Sequence, residues 1–582
     1  MSDLAFCIDK PDQGEFPTPA NLVLISRNAK LLLDPNYEKY RFAAVDELIS
    51  LCDHEKLRNE LTEEWSNFQL FASVPTVQHY EYWFSITANS LLYWRHLIRN
   101  SLINYCPKIV YLPENCFAKP SQISSYSEFL KWGTYQILKE ETKAYNIKLF
   151  RETPIKNTKG YHEYFSFRFD VVLDLIHLFS KLPQVLFARI THELKKSKDV
   201  IIICQPAKVA GLIRALRQKK VNLTVTNVPE IVGRSNLYGE ISDNPILFSG
   251  DETAIFAMQT YFRRFIDNVS LSYPQLRKFA ETDGQLLLTD HETDPYILFL
   301  VDEFLRNSKK VAFIPEGTQH HNEATMRFFG YGHYIKPGIT KMVLANSEYH
   351  FWKSQGIDNE LIVTGYLGNT FIFNKTVYFF TKLLFFIRQL VKGYLHKKVI
   401  FLPIEISSDL AGMHLGTTST HQQIKLFEEF LSKVDFRKYT ILAKARDLDM
   451  LIKLRMKYNG LDILFTNHLA WQIQAEIADV VVVTNTSIGI ESAALNKPLL
   501  IWNNTDLPSY ADNVANIDHN VIRKVVNSKD LPQTLELLLQ NRSKSSTAIN
   551  YFFERNGIDL AVQWIIGNRH VTSKRKFKDN SI

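Results

Sequence analysis

Cysteine is scarce in this chain. Five are spread over 582 residues, at positions 7, 52, 106, 116 and 204, with none after Cys204 and no Cys-x-x-Cys spacing. An odd, widely spaced set of this kind excludes a disulfide scaffold and fits a reducing compartment. Long apolar runs are missing too. No stretch of about 18 uncharged apolar residues occurs, so no simple transmembrane helix is expected. The nearest approach, Thr376 to Leu395, is interrupted by Lys382, Arg388 and Lys392. Met1 to Asp12 carries neither a basic leader nor a sustained apolar run, so no secretory signal is read there. An excess of one charge is nearly absent as well: 68 Lys and Arg stand against 61 Asp and Glu, a net charge of +7. That balance suits an anionic substrate or membrane surface and falls short of a dedicated nucleic-acid binder. Internal repeats and low-complexity tracts are not found. A cytoplasmic protein without a nucleic-acid partner is expected.

With 46% hydrophobic and 22% charged residues, the chain has the composition of a globular protein that folds by burial. Its length allows roughly four units at about 150 residues each, or two large α/β domains. Short β-branched runs alternate with longer helical stretches, the signature of parallel sheets covered by helices. Expected strands are Leu22–Ser26, Lys108–Leu112, Ile147–Phe150, Val200–Cys204, Leu223–Thr226, Leu286–Thr289 and Val311–Pro315. A second series follows at Leu361–Thr364, Val399–Leu402, Thr440–Ala443, Ile463–Phe465, Val480–Thr484 and Leu499–Trp502. The fold class read from this is α/β, with two doubly wound Rossmann-like domains facing each other across a cleft, plus helical additions. Residues 1–345 form the first domain, 346–568 the second and 569–582 a basic tail. Aromatic runs in the first 194 residues, such as Tyr80 to Ser85 and Leu91 to Arg95, match no interpretable motif.

The clearest site signal runs from Ala478 to Trp502. Four consecutive valines predict a strand buried on both faces, and Thr484, Asn485, Thr486 and Ser487 then form a hydroxyl-rich loop before a helix begins near Ile488. Free backbone N–H groups at that helix start suit a phosphate or diphosphate. Glu491 lies four residues after Ser487 on the same helical face, placed to accept from ribose hydroxyls. The same residues also read as an ordinary Ser/Thr N-cap with an acid in the first turn. Lys444 and Arg446, at a predicted strand end, offer cations for a nucleotide phosphate or are solvated surface charges.

The stretch Asp479, Thr486, Ser487, Gly489, Glu491 and Lys497-Pro498 resembles the donor-binding loop of bacterial GT-B glycosyltransferases of capsular and surface polysaccharide synthesis. That group is similar in layout to the teichoic-acid glycerophosphotransferases and the non-hydrolysing sugar-nucleotide epimerases. Val343 to Asn369, with its Val363-Thr364-Gly365 loop, resembles the group's passage to the interdomain hinge. Leu287 to Pro295 and Val311 to His321 resemble the last two strand ends of its acceptor domain. The likeness covers roughly Leu286 to Trp502. Two departures stand out: Pro315-Glu316-Gly317-Thr318 replaces a His-Gly element, and Lys444-Ala445-Arg446 replaces a His-Pro pair.

The resemblance implies a metal-independent glycosyltransferase with no cofactor, taking a nucleotide-sugar as co-substrate and a glycan or lipid-linked acceptor. Donor contacts would come from Gly365, Lys444, Arg446, Thr484, Thr486, Ser487, Gly489 and Glu491. Displacement also needs a base for the acceptor hydroxyl. Glu316 ranks first because Gly317 permits close approach; Asp290, Glu292, His320 and His321 are the other candidates. No metal site is assigned, and no Asp-x-Asp motif occurs. A polyol-phosphate transferase with a CDP-linked donor and a non-catalytic scaffold are the rival readings.

Residues 375–398 read as a basic amphipathic helix. Phe379, Leu383, Phe386, Ile387, Leu390, Val391 and Tyr394 cluster on one side, while Lys382, Arg388, Gln389 and Lys392 gather on the other. Such a helix either anchors at an anionic membrane surface or packs its apolar side on a sheet. The tail from Arg569 to Lys578 holds five Lys or Arg and no acid. It reads as a solvated end or as added attraction to anionic lipid, so a peripheral location on the inner face of the membrane is included in the expectation.

Overall fold

A computed structural model describes residues 4–7, 14–15, 22–26, 32, 40–43, 48–72, 74, 76–113, 123, 126–152, 155–156, 199–204, 209–233, 246, 248, 253–314, 336–343, 346–365, 367, 375–404, 420–445, 448–467, 469–484, 486, 488–489, 492, 497–504, 521–540 and 557–568. Three parallel sheets hold the strands that matter. The first contains β1 (Leu4–Cys7), β2 (Val23–Ser26), β3 (Arg41–Phe42), β4 (Ile109–Pro113) and β5 (Lys148–Glu152), in the order β3-β2-β1-β4-β5. The second contains β6 (Val200–Ile203), β7 (Leu223–Thr226), β8 (Leu286–Thr289), β9 (Lys310–Phe313), β10 (Ile339–Val343) and β11 (Leu361–Val363), in the order β7-β6-β8-β9-β10-β11. The third contains β12 (Lys398–Ile404), β13 (Tyr439–Ala445), β14 (Ile463–Thr466), β15 (Val480–Val483), β16 (Leu499–Trp502) and β17 (Ile522–Val525), in the order β14-β13-β12-β15-β16-β17.

The side-chain period of two explains why these strands are apolar throughout. In β15, Val480 and Val482 enter one core while Val481 and Val483 enter the core on the opposite face. In the second sheet, Ile201, Leu287 and Val311 sit in one core, and Val200, Ile202, Leu286 and Leu288 in the other. Both faces of each sheet are therefore covered, as a doubly wound fold requires.

The first two sheets share a single core. Leu4, Phe6 and Val23 of the first belong to the same buried cluster as Ile201, Leu287 and Phe313 of the second. Between them lie the helices Glu81–Tyr105, Tyr126–Ala144 and Ala254–Ser270, which supply the aromatic filling. Phe129 stacks on Tyr261 at 4.5 Å, and Phe84 meets Phe262 edge-on at 5.3 Å. The aromatic helices that matched no motif are thus the layer that joins two sheets.

Residues 1–345, expected as one Rossmann-like domain with helical additions, contain the whole first sheet as well as five of the six strands of the second. The boundary expected at 345/346 falls inside the second sheet, because β11 pairs in parallel with β10, Met342 opposite Ile362. The C-terminal helix Gly557–Asn568 also leaves the third sheet: Ala561, Val562 and Ile565 are buried in the core that covers β6 and β8, beside Leu212. The second domain expected over 346–568 therefore gives up both its ends to the second sheet.

Candidate active site at the carboxyl ends of the sheets

In open parallel sheets, ligands bind beyond the carboxyl ends of the strands where the strand order reverses. The third sheet reverses between β12 and β15, and the second between β6 and β8. β15 ends at Thr484, which is buried, and the chain then presents Thr486 and a helical turn at Ile488 and Gly489. Thr486 is buried with its hydroxyl accepting from the Ile488 N–H at 3.3 Å, while its carbonyl accepts from Gly489 N–H at 3.2 Å. The hydroxyl therefore caps the helical turn, and an accepting hydroxyl still has its own proton to donate. One turn further on, Ser492 is fully buried, and its hydroxyl has no hydrogen-bond partner among the described residues. Sequence reading passed over this polar group because a lone Ser in a helical run carries no signal. Asn485, Ser487 and Glu491 lie outside the described residues, as does Arg446.

Lys444 sits in β13 opposite Pro403 of β12 and Thr466 of β14. Its ammonium donates to the carbonyls of Asn467 and Leu469, the latter at 2.9 Å. Two of its donors thus hold the loop that follows β14. Two further motif residues work at the opposite end of the sheet. Asp479 accepts from the Val399 N–H at 2.8 Å, and Lys497 donates to the Glu476 carbonyl at 2.9 Å. Both precede their strands, so they tie the amino ends of β12 and β15 and make no contribution at the ligand end.

At the second sheet's reversal point, β8 ends in Asp290, fully buried, with His291 Nε2 at 3.3 Å from its Oδ1. The His291 N–H donates to the Thr289 hydroxyl at 3.2 Å, which closes the turn. Glu292 is buried and accepts from the Lys341 ammonium at 2.6 Å, and Lys341 lies 4.3 Å from the centre of the buried Trp352 ring. Asp294 caps the next helix, Pro295–Arg306, by accepting from the Tyr296 and Ile297 N–H groups at 2.9 and 3.2 Å. Of the acids in this run, Asp294 builds the helix start and Glu292 is held by an ammonium. Asp290 remains at the strand end beside a histidine. Lys341 was missed in the sequence because a single lysine in Ile339–Val343 has no partner in view; its glutamate is 49 residues away. Glu316, Gly317, His320 and His321 lie outside the described residues.

Gly365 follows β11 with φ of +61°, a left-handed backbone that favours glycine. The start of the C-terminal helix rests directly on this loop. Among the described residues no group of three or more His, Cys, Asp or Glu is arranged to hold a metal, and no helix is long and apolar enough to cross a membrane.

No protein-family model matches the chain, and no curated protein matches its sequence. Solved structures do match. UDP-GlcNAc 2-epimerase from Neisseria meningitidis, bound to UDP-GlcNAc, is 12% identical and is covered over 100% of its length by 64% of this chain, with a TM-score of 0.40. The glycotransferase of kitacinnamycin is 13% identical, with 100% of its chain and 64% of this one covered at a TM-score of 0.38. The wall teichoic acid polymerase TagF is 11% identical, with 98% and 69% covered at a TM-score of 0.36. The second and third sheets are doubly wound and parallel and follow one another in the chain, as the α/β reading of the sequence expected.

Proposed function

We propose that the protein is a GT-B-type enzyme that moves a sugar from a nucleotide-sugar donor to a surface-polysaccharide or lipid-linked glycan acceptor. The observation that carries this reading is the reversal point of the third sheet. There a fully buried strand delivers Thr484, the capping Thr486 and the helical turn at Gly489 to the end where such sheets bind phosphates. Thr484, Thr486, Ser487, Gly489 and Glu491 would hold the donor's diphosphate and ribose, with Lys444 and Arg446 supplying positive charge and Gly365 the hinge between the two halves. The acceptor hydroxyl would lose its proton to a carboxylate, Asp290 just after β8 or Glu316, or to His320. Its oxygen then bonds to the sugar's anomeric carbon as the carbon–phosphate-oxygen bond breaks. The nucleotide leaves with the electron pair, and its negative charge is met by the cations and N–H groups. No resident cofactor or metal belongs to this reading.

Thermal unfolding in the presence of UDP, GDP, CDP, CMP or ADP tests it. A nucleotide that binds only the folded chain at a hundred times its Kd adds about 2.7 kcal/mol of stability. One nucleotide is expected to raise the midpoint, and Ser487→Ala or Glu491→Gln to shrink that rise. Release of CMP during turnover would point to polyol-phosphate transfer instead. Stabilisation by no nucleotide at all would overturn the donor site and favour the scaffold.

A further inference from the structure

The helix Lys375–Val391 packs inward through Thr381, Phe385, Arg388 and Gln389 and turns an apolar side to solvent. Arg388 and Gln389 are buried, and the guanidinium of Arg388 donates to Asp462 Oδ1 at 2.7 Å. Asp462 Oδ2 also accepts from Lys397 at 3.0 Å and from the Thr440 hydroxyl at 2.6 Å, and Gln389 donates to the Thr440 hydroxyl at 3.3 Å. The helix is therefore pinned by its polar residues. Phe379, Leu383, Phe386, Ile387, Leu390 and Val391 are left exposed, Phe379 by 63% and Val391 by 80%. Eight of the seventeen exposed large apolar side chains among the described residues fall between 379 and 395, so this is one concentrated ridge and not ordinary scatter.

We infer that this ridge docks on an anionic lipid bilayer, lying in the interface with its apolar side chains in the headgroup and acyl boundary. Three observations choose that occupant. The ridge is a convex helix about 25 Å long, a shape suited to a surface that deforms around it. Phe379, Phe380 and Phe386 stand on its crest among leucines, and Lys382 and Lys392 flank it as exposed residues. No Asp or Glu occurs between Glu360 and Glu405, a stretch that carries Lys375, Lys382, Arg388, Lys392, Lys397 and Lys398. A second copy packed ridge to ridge would bring the exposed Lys382 and Lys392 together with no acid of this stretch to pair them, whereas an anionic lipid surface attracts both. The inference is independent of the transfer reaction.

Flotation of the full chain with vesicles tests it, using phosphatidylcholine alone and phosphatidylcholine mixed with phosphatidylglycerol. The chain is expected to float with the anionic vesicles and to release as salt is raised. Phe379→Ser with Phe386→Ser is expected to weaken binding on the order of tenfold or more, since two large apolar side chains are lost from the contact. Lys382→Glu with Lys392→Glu is expected to abolish the preference for anionic over neutral vesicles. All four positions are exposed, so both pairs should keep the wild-type melting temperature. Absence of flotation with anionic vesicles would overturn the inference, as would binding undiminished in the Phe pair. So would a dimer, seen by light scattering, that the Phe pair dissolves.

Discussion

A single carboxylate, Asp462, holds the polar part of the inward face of the helix Lys375–Val391. Burial pushes its carboxyl up, but hydrogen bonds from Thr440, Arg388 and Lys397 together outweigh burial and hold its pKa below the ordinary carboxylate value. A folded-state pKa below the unfolded one means the contribution is complete above about pH 3.9 and is lost as pH falls through the lower folded value. Asp462→Asn should flatten that part of the acid limb of the stability curve. It should also cost about 3–5 kcal/mol at neutral pH, because Arg388 and Lys397 would be left buried without a counter-charge. Urea midpoints of the two proteins at pH 7 and pH 3 measure both effects. The buried pair Lys341 and Glu292 obeys the same logic. Lys341→Ala alone should lose about 3–5 kcal/mol, while Lys341→Met combined with Glu292→Leu should recover most of it, since an apolar pair of similar size needs no counter-charge. Urea midpoints of the single and double variants read this cycle, and a double variant no more stable than the single would refute it.

Among the elements, the C-terminal helix Gly557–Asn568 depends on close approach. A Cβ added at Gly557 would stand 1.7 Å from the Thr364 carbonyl oxygen, whereas one added at Gly567 would meet nothing within 4 Å. Gly557→Ala should therefore push the helix off the Thr364–Gly365 loop at about 1–3 kcal/mol and speed hydrogen exchange across 557–568. Gly567→Ala should be neutral or stabilising by up to about 1 kcal/mol. What was legible in the sequence at this scale follows from burial. Strands apolar on both faces, such as Val480–Val483 and Leu286–Thr289, announce themselves by composition. Strands with a charge inside did not: Ile339–Val343 contains Lys341, and Ile522–Val525 has Arg523 and Lys524 at its centre. Leu4–Cys7 was hidden because Leu-Ala-Phe-Cys holds no β-branched residue, although it is the central strand of the first sheet. The helix over 375–391 was legible as an amphipathic stripe, but its orientation was not. That depended in part on Asp462, which is 74 residues from Arg388 and meets it only in the folded chain. In the candidate site, the loop after β15 was legible as a helix start, and the partners of Lys444 and Glu292 were not, for the same reason of distance along the chain.

For the whole molecule, the division of cores sets the unfolding behaviour. The first and second sheets share one core across an aromatic helical layer, and the C-terminal helix adds to the second sheet's other face. The third sheet keeps two cores of its own, filled from 385 to 538. Among the described residues, Leu32, from the first part of the chain, packs against the third sheet's core. Cooperative units follow contiguous buried contacts, so heating should produce two transitions and a calorimetric enthalpy that exceeds the van't Hoff value. Val481→Ala, in the middle of the third sheet and fully buried, should lower one transition by an amount matching the loss of a buried side chain, roughly 1–3 kcal/mol, and leave the other in place. Phe129→Ala, between Trp132 and Tyr261 in the aromatic layer, should move the other transition by about 3–5 kcal/mol. Scanning calorimetry of the two variants would separate the assignments. If both variants shifted a single common transition, the cores would be coupled through the crossing segments, and a nucleotide that stabilised the third sheet would then stabilise the first two by the same amount.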